Sequence, residues 1–280
     1  MQACGSGGGA CTPSPGVLWL GGVPGAGKST VARIIARRWG LRWYRSDTYT
    51  WAHRERAARA GVPAALLFDA LTPAERATRP VGERLAMALQ RERGPMTVDD
   101  VRGLPTSPLV IAEGTQILPD IVPDGGRALW LTLSPEQQRL RLARRHAPDP
   151  VPELYVLLGE VIAEDVARAG APQMVVDGLS VAEVVEAVEG FFAADLAQGP
   201  TASSSQERRA LLRYANLAEV QRYADYAARP ETGSFAAAVS TFMCECDRTG
   251  CEATVEMAVA DFLQLSSRES APCLAPGHDG

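Results

Sequence analysis

The sequence predicts an α/β fold, a parallel sheet with helices on both faces, followed by a small α+β module at the C-terminal end. Three observations predict it. Short, nearly all-apolar runs alternate with stretches of helical periodicity, the pattern of strands buried on both faces between crossover helices. The first of these runs feeds a glycine-rich loop that opens a helix. Beyond residue 206 the alternation stops, and a long amphipathic stretch and a Cys-rich segment follow.

Taken in order, residues 1–15 form a Gly/Ser/Pro leader, holding Cys4 and Cys11, that is expected to be disordered. Val17 to Leu20 reads as a strand, and Val31 to Trp39 as a helix stopped at Gly40. Leu41 to Arg45 reads as a second strand that ends at Ser46-Asp47. Residues 48–93 are rich in Ala and Arg and suit helices broken near Pro63, Pro73 and Pro80. Leu109 to Ala112, ending in Glu113-Gly114, and Ala128 to Leu133 are further buried strands by pattern. Ser134-Pro135-Glu136-Gln137 is a helix start, with the cap at Ser134, Pro at the first position and Gln three residues on. A second helix runs from Glu153 to Ala169 after the break at Pro148 to Pro152. Met174 to Val176 is the last strand, and Ser180 with Glu183 caps a helix through Phe192. The expected organisation is a leader (1–15), a main domain (16–197), a linker (198–206) and a C-terminal segment (207–280). Within that last segment, Ser204 to Glu207 caps a helix reaching about Ala228.

The loop after the first strand satisfies G-x-x-x-x-G-K-S/T through Gly22, Val23, Pro24, Gly25, Ala26, Gly27, Lys28, Ser29 and Thr30. Glycines let successive amides turn inward as an anion nest, and the following helix adds the positive end of its dipole. Lys28 is placed to reach the β/γ-phosphates of a nucleotide, and the Ser29 hydroxyl to ligate Mg²⁺. Lys28 is the only lysine in the chain, so its fall in this slot is not a matter of abundance. A dinucleotide loop is excluded, because G-x-G-x-x-G beginning at Gly25 fails at Thr30. Ligands of such sheets sit beyond the carboxyl ends of the strands, where the loop, Asp47 and Glu113 all fall.

On these residues the chain, over roughly 16–195, resembles the P-loop small-molecule kinases. That group holds nucleoside-monophosphate, shikimate and gluconate kinases and chloramphenicol phosphotransferase. The resemblance implies the P-loop NTPase-type sheet and transfer of the γ-phosphoryl group of Mg·ATP to a hydroxyl of a small molecule. It also implies that Asp47, in RSD, faces the acceptor hydroxyl. Arg141 and Arg145, in the R-L-x-x-R helix, would approach the moving phosphoryl group, with the helical insert binding the acceptor. Glu113 would orient the metal's water, a place usually held by Asp. The residues themselves leave other readings open: Asp47 as the N-cap of the helix after it, and the arginines as a solvated helix face. His53 and His146 have no partner in sequence and are expected at the surface.

In the C-terminal segment, Cys244, Cys246 and Cys251, with His278 near the end, supply three thiolates and an imidazole, a set suited to a closed structural Zn²⁺ site. Cys273 is an alternative fourth ligand, and a set of reduced structural cysteines is the plain alternative. The segment is similar to Cys-rich modules appended to actinobacterial proteins. It has little core of its own, so a metal would add stability, and it offers a surface for a protein partner or dimerisation.

Composition bounds the rest. Hydrophobic content of 46% and charged content of 22% suit an ordinary globular protein. A net charge of −5 argues against a general nucleic-acid or membrane binder. There is no apolar run of transmembrane length, and the leader lacks the basic start and apolar core of a signal peptide. Six cysteines without such a signal read as thiols or metal ligands in a cytoplasmic protein. The functional expectation is a kinase for a small molecule. A nucleotide-dependent ATPase switch, signalling through the C-terminal module, is the reading from a different class.

Overall fold

A computed structural model describes residues 16–229, 238–267 and 271–279; the leader, with Cys4 and Cys11, lies outside the described residues. The sheet is parallel and five-stranded, ordered β2-β3-β1-β4-β5. Its strands are β1 (Val17–Gly22), β2 (Arg42–Arg45), β3 (Val110–Glu113), β4 (Arg127–Thr132) and β5 (Gln173–Val175). The strand order reverses direction about β1, which pairs with β3 on one side and β4 on the other. Register brings Leu20, Glu113 and Arg45 level across β1, β3 and β2, so the carboxyl ends of three strands meet at one point.

Helices cover both faces. α1 (Lys28–Trp39) follows the glycine-rich loop and stops at Gly40, whose φ of 66° is a left-handed cap. A 3₁₀ turn (Ser46–Tyr49) leads into the insert, α2 (Thr50–Arg59), α3 (Pro63–Ala70), α4 (Pro73–Thr78), α5 (Val81–Met87) and α6 (Gln90–Arg102). Pro63 and Pro73 are first residues of helices, so the chain breaks where its prolines were expected to break it. α7 (Pro135–His146) begins as foreseen, with the Ser134 hydroxyl accepting from the Gln137 amide at 3.3 Å. α8 (Glu153–Arg168), α9 (Val181–Phe191) and α10 (Ala193–Gln198) complete the main body, with a reciprocal Ser180–Glu183 capping box on α9. The core runs through Leu18, Leu20, Ile35, Ile111, Leu131, Ile162 and Val188. The apolar runs are strands covered on both faces, buried throughout in β3 and nearly so in β1 and β4.

The stretch after α10 lies against the sheet: the Leu109 amide donates to Pro200 O at 2.8 Å, and the Ala202 amide to Gly40 O at 2.9 Å. α11 (Ser205–Ala227) then runs beside β2, with the Arg42 guanidinium over the Tyr214 ring. Its capping box joins Ser204 and Glu207. β6 (Val239–Met243) and β7 (Thr254–Ala258) form an antiparallel pair, and α12 (Val259–Ser267) follows. A small core of Val220, Phe242, Val259, Phe262 and Cys273 joins them, with Phe242 and Phe262 stacked at 4.1 Å.

One surface expectation fails. His53 is fully buried, and its Nε2 lies 2.7 Å from Asp100 Oδ2, which also accepts from the Tyr44 hydroxyl at 2.8 Å. The reason is tertiary: α6 brings Asp100 over β2, a partner more than forty residues away in sequence. His146 is half-buried against the Tyr155 ring. Among the described residues, no helix is long and apolar enough to cross a membrane.

Candidate active site

The glycine-rich loop leaves β1 with backbone that only glycine takes without strain. Gly22 has φ 130°, and a Cβ there would lie 2.1 Å from Leu131 O. Gly25 and Gly27 also have positive φ, at 85° and 89°. Gly27 caps α1 without a side-chain hydrogen bond, leaving the helix's first amides for an anion. The loop is not uniform, however. The Val23 amide donates to Leu131 O at 3.0 Å and the Ala26 amide to Val23 O at 3.3 Å; both side chains are buried in the core. Pro24, Gly25, Gly27, Lys28, Ser29 and Thr30 face a cavity of about 1050 Å³.

Asp47, Glu113, Arg141 and Arg145 border the same cavity, so residues from β2, β3 and α7 meet the loop on β1 and α1. Lys28 is buried and donates to Val23 O at 2.9 Å. Burial lowers its pKa, against the nearby Glu113 and Asp47 carboxylates, which raise it. Glu113 is 1% exposed, and its Oε1 has no hydrogen-bond partner among the described residues. Burial pushes its carboxyl up to about 7, reinforced by Asp47 and opposed by Lys28, Arg45 and a hydrogen bond with Ser29. An orphaned buried carboxylate oxygen beside the Ser29 hydroxyl is a donor set that fits Mg²⁺. Asp47 caps no helix through its side chain: α2 begins after Tyr49 with no side-chain cap. Arg141 reaches across from α7, donating to Val176 O at 2.8 Å and to Gly25 O at 3.5 Å.

Residues with no individual signal in sequence complete the cavity. Arg93 on α6 is 6% exposed and donates to Ser46 O at 3.0 Å and Thr50 Oγ1 at 2.9 Å, bracing the turn that carries Asp47. Arg54 on α2 is 5% exposed, donates to Met87 O and packs over the Phe68 ring. Its Nε and Nη1, and the Nε of Arg93, have no partner, and neither guanidinium has a carboxylate in contact among the described residues. Burial, reinforced by Arg229, holds the Arg54 pKa down to about 10. Nine cationic side chains border the cavity against two carboxylates, Asp47 and Glu113, with Arg45 and Arg222 paired to Glu219 and Arg84 to Glu153 just outside it. Such an imbalance calls for anionic ligands.

The second cluster lies behind α1. The ligand atoms of Cys244, Cys246, Cys251 and His278 all lie within 4.8 Å of one another. His278 Nδ1 is 3.3 Å from Cys244 Sγ and 3.5 Å from Cys251 Sγ. The Ala275 amide donates to Cys244 Sγ at 3.3 Å and Arg37 Nη2 to Cys246 Sγ at 3.1 Å. Three sulfurs and one imidazole in this arrangement fit a tetrahedral Zn²⁺. Cys273 is not in the group; it points into the Phe242–Phe262 core, where burial raises its pKa to about 11.

No protein-family model matches the chain. It is 28% identical, over 229 aligned positions, to a bifunctional pantoate ligase/cytidylate kinase of Synechococcus sp. (strain WH7803). That alignment takes in 65% of this chain, which spans less than half (45%) of the relative's length. Among solved structures, a gluconokinase from Sinorhizobium meliloti 1021 is similar at 19% identity and a TM-score of 0.37, covering 65% of this chain and 94% of that one. A shikimate kinase from Acinetobacter baumannii, in complex with shikimate, is similar at 15% identity and a TM-score of 0.39, covering 65% and 94%. At such identities and TM-scores the fold is taken from the sheet order and loop described above, not from the likeness.

Proposed function

We propose that this protein is a Mg·ATP-dependent phosphotransferase acting on a small, anionic acceptor. The observation that carries the reading is the convergence of the loop, Asp47, Glu113, Arg141 and Arg145 on one cavity at the carboxyl ends of the strands. A switch that only held a nucleotide would need no cavity of this size beyond the phosphates. The resemblance of the loop and the R-L-x-x-R helix to those of P-loop kinases points the same way.

The residues divide the work as follows. The loop amides and Lys28 hold the β- and γ-phosphates, and Lys28 moves from Val23 O to the phosphate when the nucleotide enters. Ser29 and Glu113 would hold Mg²⁺, which would neutralise phosphate charge. Burial holds the Glu113 pKa up, so a cation bound there would stabilise the carboxylate and release the proton to solvent. Asp47 orients the acceptor hydroxyl and takes its proton as the bond to the γ-phosphorus forms and the bond from that phosphorus to the β,γ-bridging oxygen breaks, releasing ADP. Arg141 and Arg145, one turn apart on α7, balance charge on the moving phosphoryl oxygens. Arg93 braces the turn that carries Asp47, and Arg54 adds positive charge at the far end of the cavity, where an anionic acceptor would lie. The four-ligand cluster behind α1 would hold a structural Zn²⁺.

A screen of hydroxy acids, nucleoside monophosphates, sugars and neutral alcohols for ADP release above the no-acceptor background tests the reading. An anionic acceptor is expected to stimulate turnover, and Asp47→Asn to lose about 10²-fold or more of that stimulation while nucleotide binding remains. Full transfer by Asp47→Asn would remove Asp47 as the base. A second reading, an acceptor-independent ATPase that signals through the C-terminal segment, is favoured by one contact: Arg37 on α1 bonds directly to the cysteine cluster. Hydrolysis unaffected by every acceptor, yet altered by metal removal, would select it.

A further inference from the structure

The C-terminal segment touches the cavity as well as α1. Arg222 on α11 borders the cavity, as does Arg45 at the end of β2, two residues before Asp47. Both guanidiniums share one carboxylate, that of Glu219 on α11. Glu219 Oε2 lies 3.3 Å from Arg45 Nη1 and 3.2 Å from Arg222 Nε, and Arg222 Nη2 pairs with Oε1. Ser240 Oγ on β6 donates to Oε1 at 3.1 Å. One carboxylate is shared by two guanidiniums on this wall; Arg45 also faces the buried Glu113 carboxyl, and its Nε has no hydrogen-bond partner among the described residues.

α11 packs along β2 and is tied to the cysteine segment by hydrogen bonds. Asn216 and Met243 exchange two hydrogen bonds, Nδ2 to Met243 O at 3.0 Å and the Met243 amide to Oδ1 at 2.8 Å. Glu245, between two of the cysteines, is 1% exposed. It accepts from Arg213 Nε at 2.7 Å, Asn216 Nδ2 at 2.9 Å and the Cys273 amide at 2.9 Å. A continuous path of bonded groups therefore runs from Cys244–Cys246 through Glu245, Asn216 and α11 to Glu219.

We propose that the C-terminal segment is a working wall of the cavity: α11, locked by the three-Cys, one-His cluster, uses Glu219 to present Arg45 and Arg222 as a paired subsite for the acceptor's anionic group. This rests on the phosphotransferase reading, and it assigns the segment to acceptor recognition. Removing the metal loosens the Asn216–Met243 and Glu245 latch, so acceptor affinity falls while the nucleotide loop, anchored in the sheet, keeps its grip.

The test uses the full chain, with Mg²⁺ and adenylyl-imidodiphosphate filling the phosphate loop and radiolabelled sulfate as the probe in equilibrium dialysis. Wild type binds sulfate. Arg222→Gln weakens it about tenfold, Arg222→Lys by less, and chelation of the metal by about as much as Arg222→Gln, with affinity for the nucleotide analogue within about twofold throughout. If circular dichroism shows the metal-free chain unfolded, Asn216→Ala carries that arm with the same expected loss. With an acceptor found by the screen, Arg222→Gln raises its KM and spares kcat. Sulfate binding absent in wild type, equal in Arg222→Gln, or insensitive to both chelation and Asn216→Ala overturns the proposal. Failure of the nucleotide analogue to bind would instead overturn the phosphotransferase reading.

Discussion

Arg37→Gln is the most informative single change. The guanidinium is buried on the last turn of α1 and satisfies four acceptors of the cysteine segment at once. Nε donates to Arg248 O at 2.9 Å, Nη1 to Cys244 O at 2.7 Å, and Nη2 to Cys246 O at 2.7 Å and Cys246 Sγ at 3.1 Å. A Zn²⁺ with three thiolates and a neutral imidazole carries a net negative charge, so Arg37 also supplies the local counter-charge. Each charge-assisted bond contributes about 1.5–3 kcal/mol, but the four share one side chain and do not add. The loss on breaking a buried, paired charge is about 3–5 kcal/mol, and that is the expected drop in stability of the metal-loaded protein. The glutamine still reaches one carbonyl, which places the result near the lower bound. Zinc affinity should fall about 10–100-fold, as it does when an outer partner of a ligand is removed. Chelator competition with a chromogenic indicator gives the affinity, and urea unfolding followed by circular dichroism gives the stability. Zinc affinity within twofold of wild type, together with an unchanged midpoint, would refute the docking role assigned to Arg37.

Two further outcomes follow from the loop and its neighbours. Glu113 keeps its proton in the native state up to about pH 7, whereas the unfolded chain loses it near 4.5. The native state therefore binds more protons through that window, and stability falls as pH rises, by about 3 kcal/mol in total at about 1.4 kcal/mol per pH unit. Unfolding of wild type and Glu113→Gln, compared between pH 4 and 8 in chelator without nucleotide, should show the variant gaining on wild type as pH climbs; a constant difference counts against it. Gly22→Ala sets a Cβ 2.1 Å from Leu131 O at φ 130°, so it should lower stability by more than about 3 kcal/mol, read as a thermal shift, and abolish nucleotide binding measured by calorimetry. Retention of both would mean that the loop tolerates a different path.

Much of the site was legible because its signals are local. A phosphate loop needs glycine at fixed spacing, and a strand buried on both faces must be apolar, so Gly22 to Thr30 and the ends of β2 and β3 are readable without partners. Arg93 and Arg54 were not legible, since an insert dense in arginine and alanine has no polar face that marks one arginine as buried. Arg93 is buried where α6 meets the Ser46–Tyr49 turn, and Arg54 where α2 meets Met87 and the Phe68 ring. Arg37 reads as an ordinary basic residue of a last helical turn, and only the distant Cys244–Arg248 segment gives it partners. The choice between Cys273 and His278 was open for the same reason. Spacing offers both, and the aromatic pair Phe242–Phe262 claims the cysteine.

The order β2-β3-β1-β4-β5 leaves two strands at the margins of the sheet, and the chain treats them differently. At β2, α11 runs alongside with Tyr214 against Arg42, while β5 is three residues long, with Val175 59% exposed. A margin so short gives an incoming strand few amides to pair with, and a shielded one resists it by bulk. Stacking of one molecule on another through sheet extension is thereby discouraged at both ends, and loss of the α11 cover would turn β2 into a site where aggregation begins.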